Sequence, residues 1–364
     1  MRIKTISFVL LLVFLVTVSC TNAALPEPDQ NSKAQVAESV EAAEGSTASD
    51  ETVSPTAIVE AATELPAVVI VSDSATTPGA IATNEAAAEP EPVSATVNQS
   101  DKRLEQIPAG TTFGRFQYQG EIWHGIVLEN GAVERIEGDL FTEIILTDEI
   151  FPLDQLKVLA PILPSKIIAI GLNYRSHAGE AGVGAPGLFS KFPTSLAGPD
   201  DPIWLYPESD NTHYEGELVI VIGKTAYNIT EAEASDYIFG VTAGNDITER
   251  TWQQTDLQWI RAKASDSFAP IGPYIVTGLN YNDLLVQTRV NGVTTQSEST
   301  ASLIHSVDKI VSYTSRYITL EPGDIIYTGT PGSTSAMSAG DVIEVEVEGV
   351  GVLRNTAQPW DPDS

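Results

Sequence analysis

Apolar and polar residues alternate along much of the chain after residue 110, which is the pattern of β-strands that bury one face. The alternation over 113–128 predicts two strands joined by a turn at Gln119-Gly120, and Asn130-Gly131 predicts a hairpin that leads into a strand over 132–136. Further strands are predicted at 166–172, 213–223, 239–243, 274–277, 285–290, 325–327 and 342–347.

Helical periodicity is limited to three segments, 231–237, 248–258 and 304–317, the first with Thr230 as its N-cap. Strands therefore dominate a folded region that begins near residue 106. This balance predicts a mixed β (α+β) fold: a sandwich, barrel or roll with short helices and long loops, rather than a doubly wound sheet.

A different pattern precedes the folded region. Arg2 and Lys4 are followed by an apolar stretch over 6–18, which is too short to span a bilayer and predicts a signal peptide over residues 1–20. The sequence Thr17-Val18-Ser19-Cys20 resembles the lipobox of bacterial lipoproteins, in which the cysteine is lipidated. An ordinary signal peptide cleaved near 23–24 and an uncleaved anchor are the alternatives. The lipoprotein and the ordinary signal peptide both predict an exported protein. It would be anchored to the cell membrane by a lipid on Cys20 in the first case and free outside the cytoplasm in the second.

Residues 21–105 are rich in Ala, Glu, Ser, Thr and Pro and contain no aromatic residue. Between 24 and 100, thirteen acidic residues face a single base, Lys33. Such a segment buries too little apolar surface to offset its ordering entropy, so it predicts a disordered acidic linker. Its composition does not separate a functional spacer from a leader without function.

Composition narrows the function. The 364 residues contain 19 Lys+Arg against 49 Asp+Glu, a formal charge of −30, which argues against binding to nucleic acid or to anionic lipid. Cys20 is the single cysteine, so the sequence after it excludes a disulfide scaffold, a zinc–thiolate site and a cysteine nucleophile.

Three acidic residues are candidates for a metal site. Glu215 and Glu217 are two apart on the predicted strand 213–223 and share a face, and both faces of that strand are otherwise apolar, as in a buried strand. Neighbouring buried carboxylates must be protonated, salt-bridged or metal-bound. Asp246, at a strand-to-helix junction, would complete an all-oxygen triad suited to Mg²⁺, Mn²⁺ or Ca²⁺. The alternatives are a solvated strand end and a helix cap.

A second candidate group is His177 with Glu180, which share a face if residues after Tyr174 form a short helix. A carboxylate beside an imidazole orients it and raises its basicity, which suits a general base acting through water. An exposed pair on a loop is the alternative.

Six motifs occur in order: GLNYRSHAGEAG, KFPTSLAGPDDPI, HYEGELVIVIG, NDITERTWQ, RAKASDSFAPIGP and LEPGDIIYTGTPG. Together they resemble the fumarylacetoacetate hydrolase family over about residues 160–357, and 106–160 is similar to the small N-terminal β domain of its bacterial members. The resemblance implies a mixed β-sandwich roll over 161–364, a small β domain over 106–160 and a homodimer.

The resemblance also implies roles for individual residues. It implies Mg²⁺ or Mn²⁺ on Glu215, Glu217 and Asp246, and a water-activating dyad of His177 and Glu180 on a lid. Lys263 would stabilise the substrate oxyanion. The implied substrate-binding residues are Tyr174, Arg250, Gln253 and Thr330.

These roles predict an enzyme that hydrolyses a C–C bond in a 2,4-dioxo acid through an enolate. Isomerisation or decarboxylation of a related keto acid is the alternative on the same site, and a tethered, non-catalytic keto-acid binding module is the alternative of another class. Two departures from the family pattern flank the cavity in relatives: Ser265 replaces an aromatic residue, and 333–337 replace a Gly-Val-Gly-like turn. A shift in substrate preference is therefore expected.

Overall fold

A computed structural model describes residues 106–182 and 184–361 of this chain. The predicted signal peptide, Cys20 and the predicted linker lie outside the described residues. Within the described part, none of the helices combines the length and the apolar character needed to cross a membrane.

The described residues are dominated by short strands, as the alternation predicts. The strands are β1 (Thr112–Tyr118), β2 (Glu121–Val127), β3 (Ala132–Asp139), β4 (Glu143–Pro152), β5 (Lys157–Leu159), β6 (Ile167–Gly171), β7 (Gly187–Lys191), β8 (Leu196–Ala197), β9 (Pro202–Leu205), β10 (Thr212–His213), β11 (Gly216–Ile222), β12 (Ile238–Asn245), β13 (Thr248–Glu249), β14 (Ala269–Val276), β15 (Leu285–Val290), β16 (Val293–Ser299), β17 (Ile325–Tyr327), β18 (Val342–Val347) and β19 (Gly351–Pro359).

The helices are few and short. They are α1 (Arg175–Ala178), α2 (Arg250–Thr255), α3 (Ile260–Ala264) and α4 (Val307–Ser315), with 3₁₀ turns at Leu153–Gln155, Gly179–Gly182, Pro193–Ser195, Glu231–Tyr237 and Thr300–Ser302. The predicted helix over 231–237 is thus a 3₁₀ helix, and its start is capped as expected because the Glu233 carboxylate accepts hydrogen bonds from the Thr230 N–H and hydroxyl at 2.9 and 2.7 Å.

Two main sheets pack against each other. The large sheet has the strand order β4-β3-β2-β1-β14-β12-β11-β17-β6-β7, and the small sheet has the order β16-β15-β18-β19-β9. Strands β1 to β4 form an antiparallel meander that joins the large sheet where Thr112 and Phe113 pair with Val276 and Ile275. This arrangement confirms the mixed β class of the prediction.

Strand β11 lies at the centre of the molecule and is buried along its whole length. Leu218 and Ile220 belong to the apolar cluster that includes Val286 and Val345 of the small sheet, whereas Val219 belongs to a separate cluster with β6 and β17. The prediction of a strand buried on both faces is therefore confirmed. The predicted strand over 213–223 was too long, because β11 begins only at Gly216. His213 belongs to the separate short strand β10, which pairs with β13.

The small sheet sits directly on the start of β11. A Cβ atom at Gly216 would lie 2.0 Å from the Thr288 hydroxyl oxygen and 3.2 Å from a methyl of Val345, so only glycine fits there. The backbone between Glu215 and Glu217 is consequently pressed against the second sheet, which holds both carboxylates at a fixed place.

Candidate active site

The carboxylates of Glu215, Glu217 and Asp246 converge where β11 begins and β12 ends. Antiparallel pairing places Glu217 opposite Gly244. The Asp246 N–H donates to the Glu215 carbonyl at 2.8 Å, and the Glu215 N–H donates to the side-chain oxygen of Asn245, also at 2.8 Å. One oxygen from each of the three carboxylates lies within 4.8 Å of the others, and all three side chains are buried. We call this group the carboxylate triad.

Two members of the triad are surrounded by cations. The Lys263 ammonium lies between Glu215 and Asp246, at 2.8 Å from one and 2.7 Å from the other. Lys191, which is fully buried, pairs with the second oxygen of Asp246. Arg250 pairs with the second oxygen of Glu215. We call Lys191, Arg250 and Lys263 the cation cluster.

Glu217 has a different environment. Its carboxylate accepts the Gly329 N–H at 2.6 Å, and no lysine or arginine of the described residues forms an ion pair with it. Burial, together with the charges of Asp246 and Glu215, raises the pKa of Glu217 well above its ordinary value. Without a bound cation, these surroundings therefore disfavour ionisation of Glu217.

Burial and neighbouring charges act in opposite directions on the pKa values of Glu215, Lys263 and Lys191, and the larger of the two effects sets the direction of each shift. Burial opposes ionisation of Glu215, but the charges of Lys263 and Arg250 outweigh it and hold the pKa of Glu215 below its ordinary value. For Lys263, the desolvation that lowers the pKa is likewise outweighed by Asp246 and Glu215, which raise it. For Lys191, burial prevails over Asp246 and lowers the pKa.

His177 presents one ring nitrogen to this cluster. Its Nδ1 lies 2.8 Å from the Gly332 carbonyl, and because a carbonyl can only accept, Nδ1 carries the hydrogen. Its Nε2 lies 3.6 Å from a Glu215 oxygen, beyond hydrogen-bond range. The neighbouring Ser176 hydroxyl accepts the Gly332 N–H at 2.9 Å, so α1 is held on the Gly-Thr-Pro-Gly loop. The free nitrogen of His177 therefore faces the triad.

The predicted partner of His177 lies elsewhere in this structure. Glu180 is exposed in the 3₁₀ turn Gly179–Gly182, and among the described residues the ring of His177 contacts Gly332 and Glu215 rather than Glu180. The dyad is not assembled in this conformation, and its catalytic role stays a prediction.

A cavity of about 190 Å³ brings most of the predicted residues together. Its polar side is lined by His177, Glu215, Glu217, Asp246, Arg250, Gln253, Lys263 and Thr330, and its apolar side by Ile170, Gly171, Leu172, Phe189 and Trp259. Tyr174 and Glu180 are not among the lining residues, and the buried Tyr174 hydroxyl has no hydrogen-bond partner within the part of the chain that the structure describes. A larger cavity of about 670 Å³ lies near Phe141 and Lys224 and contains none of these residues, so chemistry rather than volume identifies the site.

Two polar residues of the site were not identified from the sequence. Lys191 ends β7, and strand alternation places it on the same face as Phe189, so a lone lysine in an apolar strand was the available signal. Gln296 accepts the Gly216 N–H at 3.1 Å and donates to the Thr330 hydroxyl at 2.8 Å. It reaches the site from β16 across 80 residues of sequence, so no local signal could have indicated it.

The loop that departs from the family pattern contacts the site through Thr334. The Thr334 hydroxyl oxygen accepts an Arg250 N–H at 3.0 Å and donates to Nδ1 of His213 at 2.8 Å, while Nε2 of His213 donates to Asn211. Burial, and then the charge of Arg250, lowers the pKa of His213 to about 4, so the ring is neutral at physiological pH. The other departure, Ser265, donates to the Arg261 carbonyl and does not line the cavity.

This strand-dominated fold surrounds a buried carboxylate triad that could hold a metal ion, and comparison with known proteins assigns its class. The family described as "Fumarylacetoacetate (FAA) hydrolase C-terminal" matches residues 166–358, and the family described as "Rv2993c-like, N-terminal" matches residues 112–161. The chain belongs to the fumarylacetoacetate hydrolase family.

The chain is similar over most of its folded part to proteins with different names. An uncharacterised protein of Archaeoglobus fulgidus is 44% identical over 247 residues, which cover 67% of this chain and 95% of the relative. "Oxaloacetate tautomerase fahd2, mitochondrial" of Xenopus laevis is 37% identical, with 55% of this chain and 68% of the relative covered. The crystal structure of 2-hydroxyhepta-2,4-diene-1,7-dioate isomerase from Mycobacterium marinum aligns with a TM-score of 0.65 at 36% identity, covering 68% of this chain and 98% of that one.

Proposed function

We propose that this chain is a divalent-metal-dependent enzyme that interconverts the keto and enol forms of a 2-oxo acid. One observation carries the proposal: Nε2 of His177 faces the carboxylate triad, 3.6 Å from a Glu215 oxygen, and forms no hydrogen bond within the described residues, while the Glu180 partner that water activation would require lies away from the ring. Enolisation needs a base for one proton and a stabilised oxyanion, and it needs no activated water. The names of the relatives support this choice, because tautomerases and isomerases are among them.

The donor set fits a divalent ion. Three buried carboxylates offer one oxygen each within 4.8 Å, and hard oxygen donors at about 2.0–2.1 Å suit Mg²⁺ or Mn²⁺, with Ca²⁺ as a larger alternative. Such an ion would supply Lewis-acid polarisation of the 2-oxo group.

The residues of the chain divide the remaining work. Arg250, Gln253 and Thr330 line the polar side of the cavity and would orient the substrate carboxylate. Lys263 stays protonated, because Asp246 and Glu215 raise its pKa, so it would stabilise the developing oxyanion rather than act as a base.

His177 would move the proton. Its Nε2 would take a proton from C3 of the keto form, which leaves an enolate, and protonation of the enolate oxygen by this imidazolium or by solvent would give the enol; the same steps in reverse would restore the keto form. The Gly332 carbonyl, bonded to the Nδ1 hydrogen, fixes this tautomer and stabilises the imidazolium that forms.

The proposal is tested by following the ultraviolet absorbance of the enol of oxaloacetate as it decays, with Mg²⁺ and then with excess EDTA. Replacement His177→Asn should slow the catalysed interconversion by about 10²–10⁴-fold, the usual contribution of a positioned base. The matched control is His124→Asn on β2, which lies outside the cavity and should retain turnover. Unchanged turnover in the His177 variant, or activity that is indifferent to EDTA, would contradict the proposal.

Hydrolysis of a C–C bond in a 2,4-dioxo acid is the second candidate. Glu180 lies in the turn that directly follows the helix carrying His177, so a movement of 175–182 could bring the two side chains together. Release of pyruvate from an acylpyruvate, lost in Glu180→Gln, would favour this reaction. Release of CO₂ from oxaloacetate would favour a decarboxylase. Binding of keto acids without turnover of any would favour the non-catalytic module.

We also propose that the protein is exported, with a lipid on Cys20, and that it forms a homodimer. The support for export is the basic and apolar N-terminal sequence with its lipobox-like end. The homodimer is proposed because the chain resembles a family whose members are usually dimeric. Labelling with radioactive palmitate should be seen in the wild type and lost in Cys20→Ser, and sedimentation analysis measures the oligomeric state.

A further inference from the structure

A second cavity adjoins the catalytic one and differs from it in chemistry. Its volume is about 410 Å³, and it is lined by residues 188–190 and 257–260. None of these seven residues is charged, and five of them are leucine, isoleucine or aromatic. We call it the side cavity.

Two aromatic rings separate the two cavities. Phe189 and Trp259 line both of them, and their rings meet edge to face with centroids 5.6 Å apart. The Lys263 ammonium lies 4.8 Å from the centre of the Phe189 ring, so this aromatic wall begins beside the proposed oxyanion donor. A substrate held by the polar side of the catalytic cavity would therefore direct its other end at these rings.

The apolar side chains at the side cavity are unusually exposed. Leu257 is 95% exposed and Trp259 is 39% exposed, and Ile260 is exposed as well. Large apolar side chains gathered on a surface beside an active site are typical of a place that binds an apolar group.

The charges of the catalytic cavity also favour a substrate whose distal end is uncharged. Arg250 and Lys263, the lysine and arginine that line it, are both already paired with carboxylates of the triad. Lining residues of the side cavity provide no further cation. A second carboxylate at the distal end of a substrate would thus meet aromatic rings and leucine rather than an opposite charge, and burying it there would be costly.

We propose that the side cavity receives an uncharged apolar substituent on C3 of the 2-oxo acid, so that the preferred substrate is a monocarboxylate with an alkyl or aryl end rather than a dicarboxylate. This inference rests on the proposed function, whose substrate class it names. Phenylpyruvate and 4-methyl-2-oxopentanoate represent the apolar class, and oxaloacetate represents the dicarboxylates.

The test measures binding and turnover separately in the Mg²⁺-loaded protein. Titration calorimetry should show tighter binding of phenylpyruvate than of oxaloacetate. The replacements Leu257→Gln and Trp259→Ala should each weaken phenylpyruvate binding, the second by about tenfold. Leu257 does not line the catalytic cavity, so Leu257→Gln should have little effect on oxaloacetate. Because Leu257 is almost fully exposed, its replacement does not endanger folding. Leu257→Lys should shift the preference toward oxaloacetate by supplying the missing cation.

Trp360→Ala is the matched control. Trp360 is 41% exposed and packs on one aromatic ring, Tyr206, at 5.8 Å, much as Trp259 packs on Phe189, but it lines neither cavity. Its replacement should leave the ligand preference unchanged. An equal loss of phenylpyruvate binding in this control would show that Trp259 acts through general packing and would overturn the inference.

Other outcomes separate the two proposals. If oxaloacetate binds more tightly and is turned over while phenylpyruvate is not, the proposed function stands and the apolar preference is wrong. If phenylpyruvate binds through Leu257 and Trp259 but no 2-oxo acid is turned over, the preference stands and the function is wrong. If Leu257→Gln changes only the oligomeric state in sedimentation analysis, the surface is covered by a second copy of the chain and the inference fails.

Discussion

Glu215 and Glu217 are two residues apart and similarly buried, yet their surroundings shift their two pKa values in opposite directions when no divalent ion is bound. Cations surround Glu215, whereas Glu217 accepts a single backbone hydrogen bond. Replacement of each by glutamine, which keeps the size and removes the charge, should therefore have unequal effects. We expect Glu215→Gln to be strongly destabilising and Glu217→Gln to be nearly neutral in the EDTA-treated protein.

The magnitudes follow from the contacts. In Glu215→Gln, Arg250 loses its carboxylate and Lys263 keeps only Asp246. Breaking a buried ion pair on one side costs about 3–5 kcal/mol, and we take about 3 kcal/mol because Lys263 retains one partner. In Glu217→Gln, the amide oxygen can still accept the Gly329 N–H and no ion pair is lost, so the change in unfolding free energy should stay within about 1 kcal/mol.

The raised pKa of Glu217 adds a dependence on pH. The folded protein holds a proton that the unfolded chain releases at the ordinary glutamate value of 4.5. The stability contributed by that proton is complete below this value and is lost as pH rises through the higher pKa of the folded state. The EDTA-treated wild type should therefore lose stability with rising pH above about 4.5, and Glu217→Gln should lack that part of the slope.

Urea unfolding followed by tryptophan fluorescence at several pH values measures both effects. With a urea slope of about 1–3 kcal/mol per molar, the Glu215 variant should unfold at a midpoint lower by about 1 M or more. Mg²⁺ should stabilise the wild type most at high pH, where Glu217 can ionise. Equal destabilisation in the two variants, or an unchanged pH slope in Glu217→Gln, would refute this assignment of charge.

Two further replacements test how the surrounding structure holds the site. Gly216→Ala should lower the free energy of unfolding measured in urea by about 1–3 kcal/mol, because the new methyl group would clash with Thr288. Adding Thr288→Ala should recover much of the loss. Gly187→Ala, whose new methyl group would meet nothing closer than 3.7 Å, is the control. Thr334→Val should raise KM severalfold with folding intact, because Arg250 loses a hydrogen-bond acceptor. Thr334→Ser keeps the hydroxyl and should have the KM of the wild type. If the serine and valine variants behave alike in steady-state kinetics, the hydroxyl has no positioning role.

The parts of the fold that could be predicted are those with a local pattern. Strand β11 is apolar on both faces because two layers cover it, and that alone predicts burial. Asn291-Gly292, with both residues at positive φ, joins β15 to β16 and is a hairpin signal, but the largely polar sequence of β16 does not by itself predict a strand. The strand β16 is stabilised by its pairing partner rather than by its own composition.

The candidate site shows the same division. The spacing of Glu215 and Glu217 on a strand predicts that they share a face, and their convergence with Asp246 follows from one hairpin, β11 to β12. Lys191 and Gln296 reach the triad from strands that are 55 and 80 residues away from their partners. Their roles depend on how the sheets pack, and no short segment of the sequence predicts that packing.

The net charge of the whole chain repels an anionic substrate, whereas the cations of the site attract its carboxylate. A formal charge of −30 repels an anionic keto acid at long range, although salt screens that repulsion beyond about 10 Å. Inside the cavity, the positive charges of Arg250 and Lys263 lie beside Glu215 and Asp246, while burial disfavours a negative charge on Glu217. Because these positive charges act in a buried, weakly polar environment, their attraction for a substrate carboxylate at contact distance is stronger than the screened repulsion of the exterior. A divalent ion adds to that positive charge, and ionisation of Glu217 offsets part of it, so the proton on Glu217 couples ion binding to the electrostatics of the site.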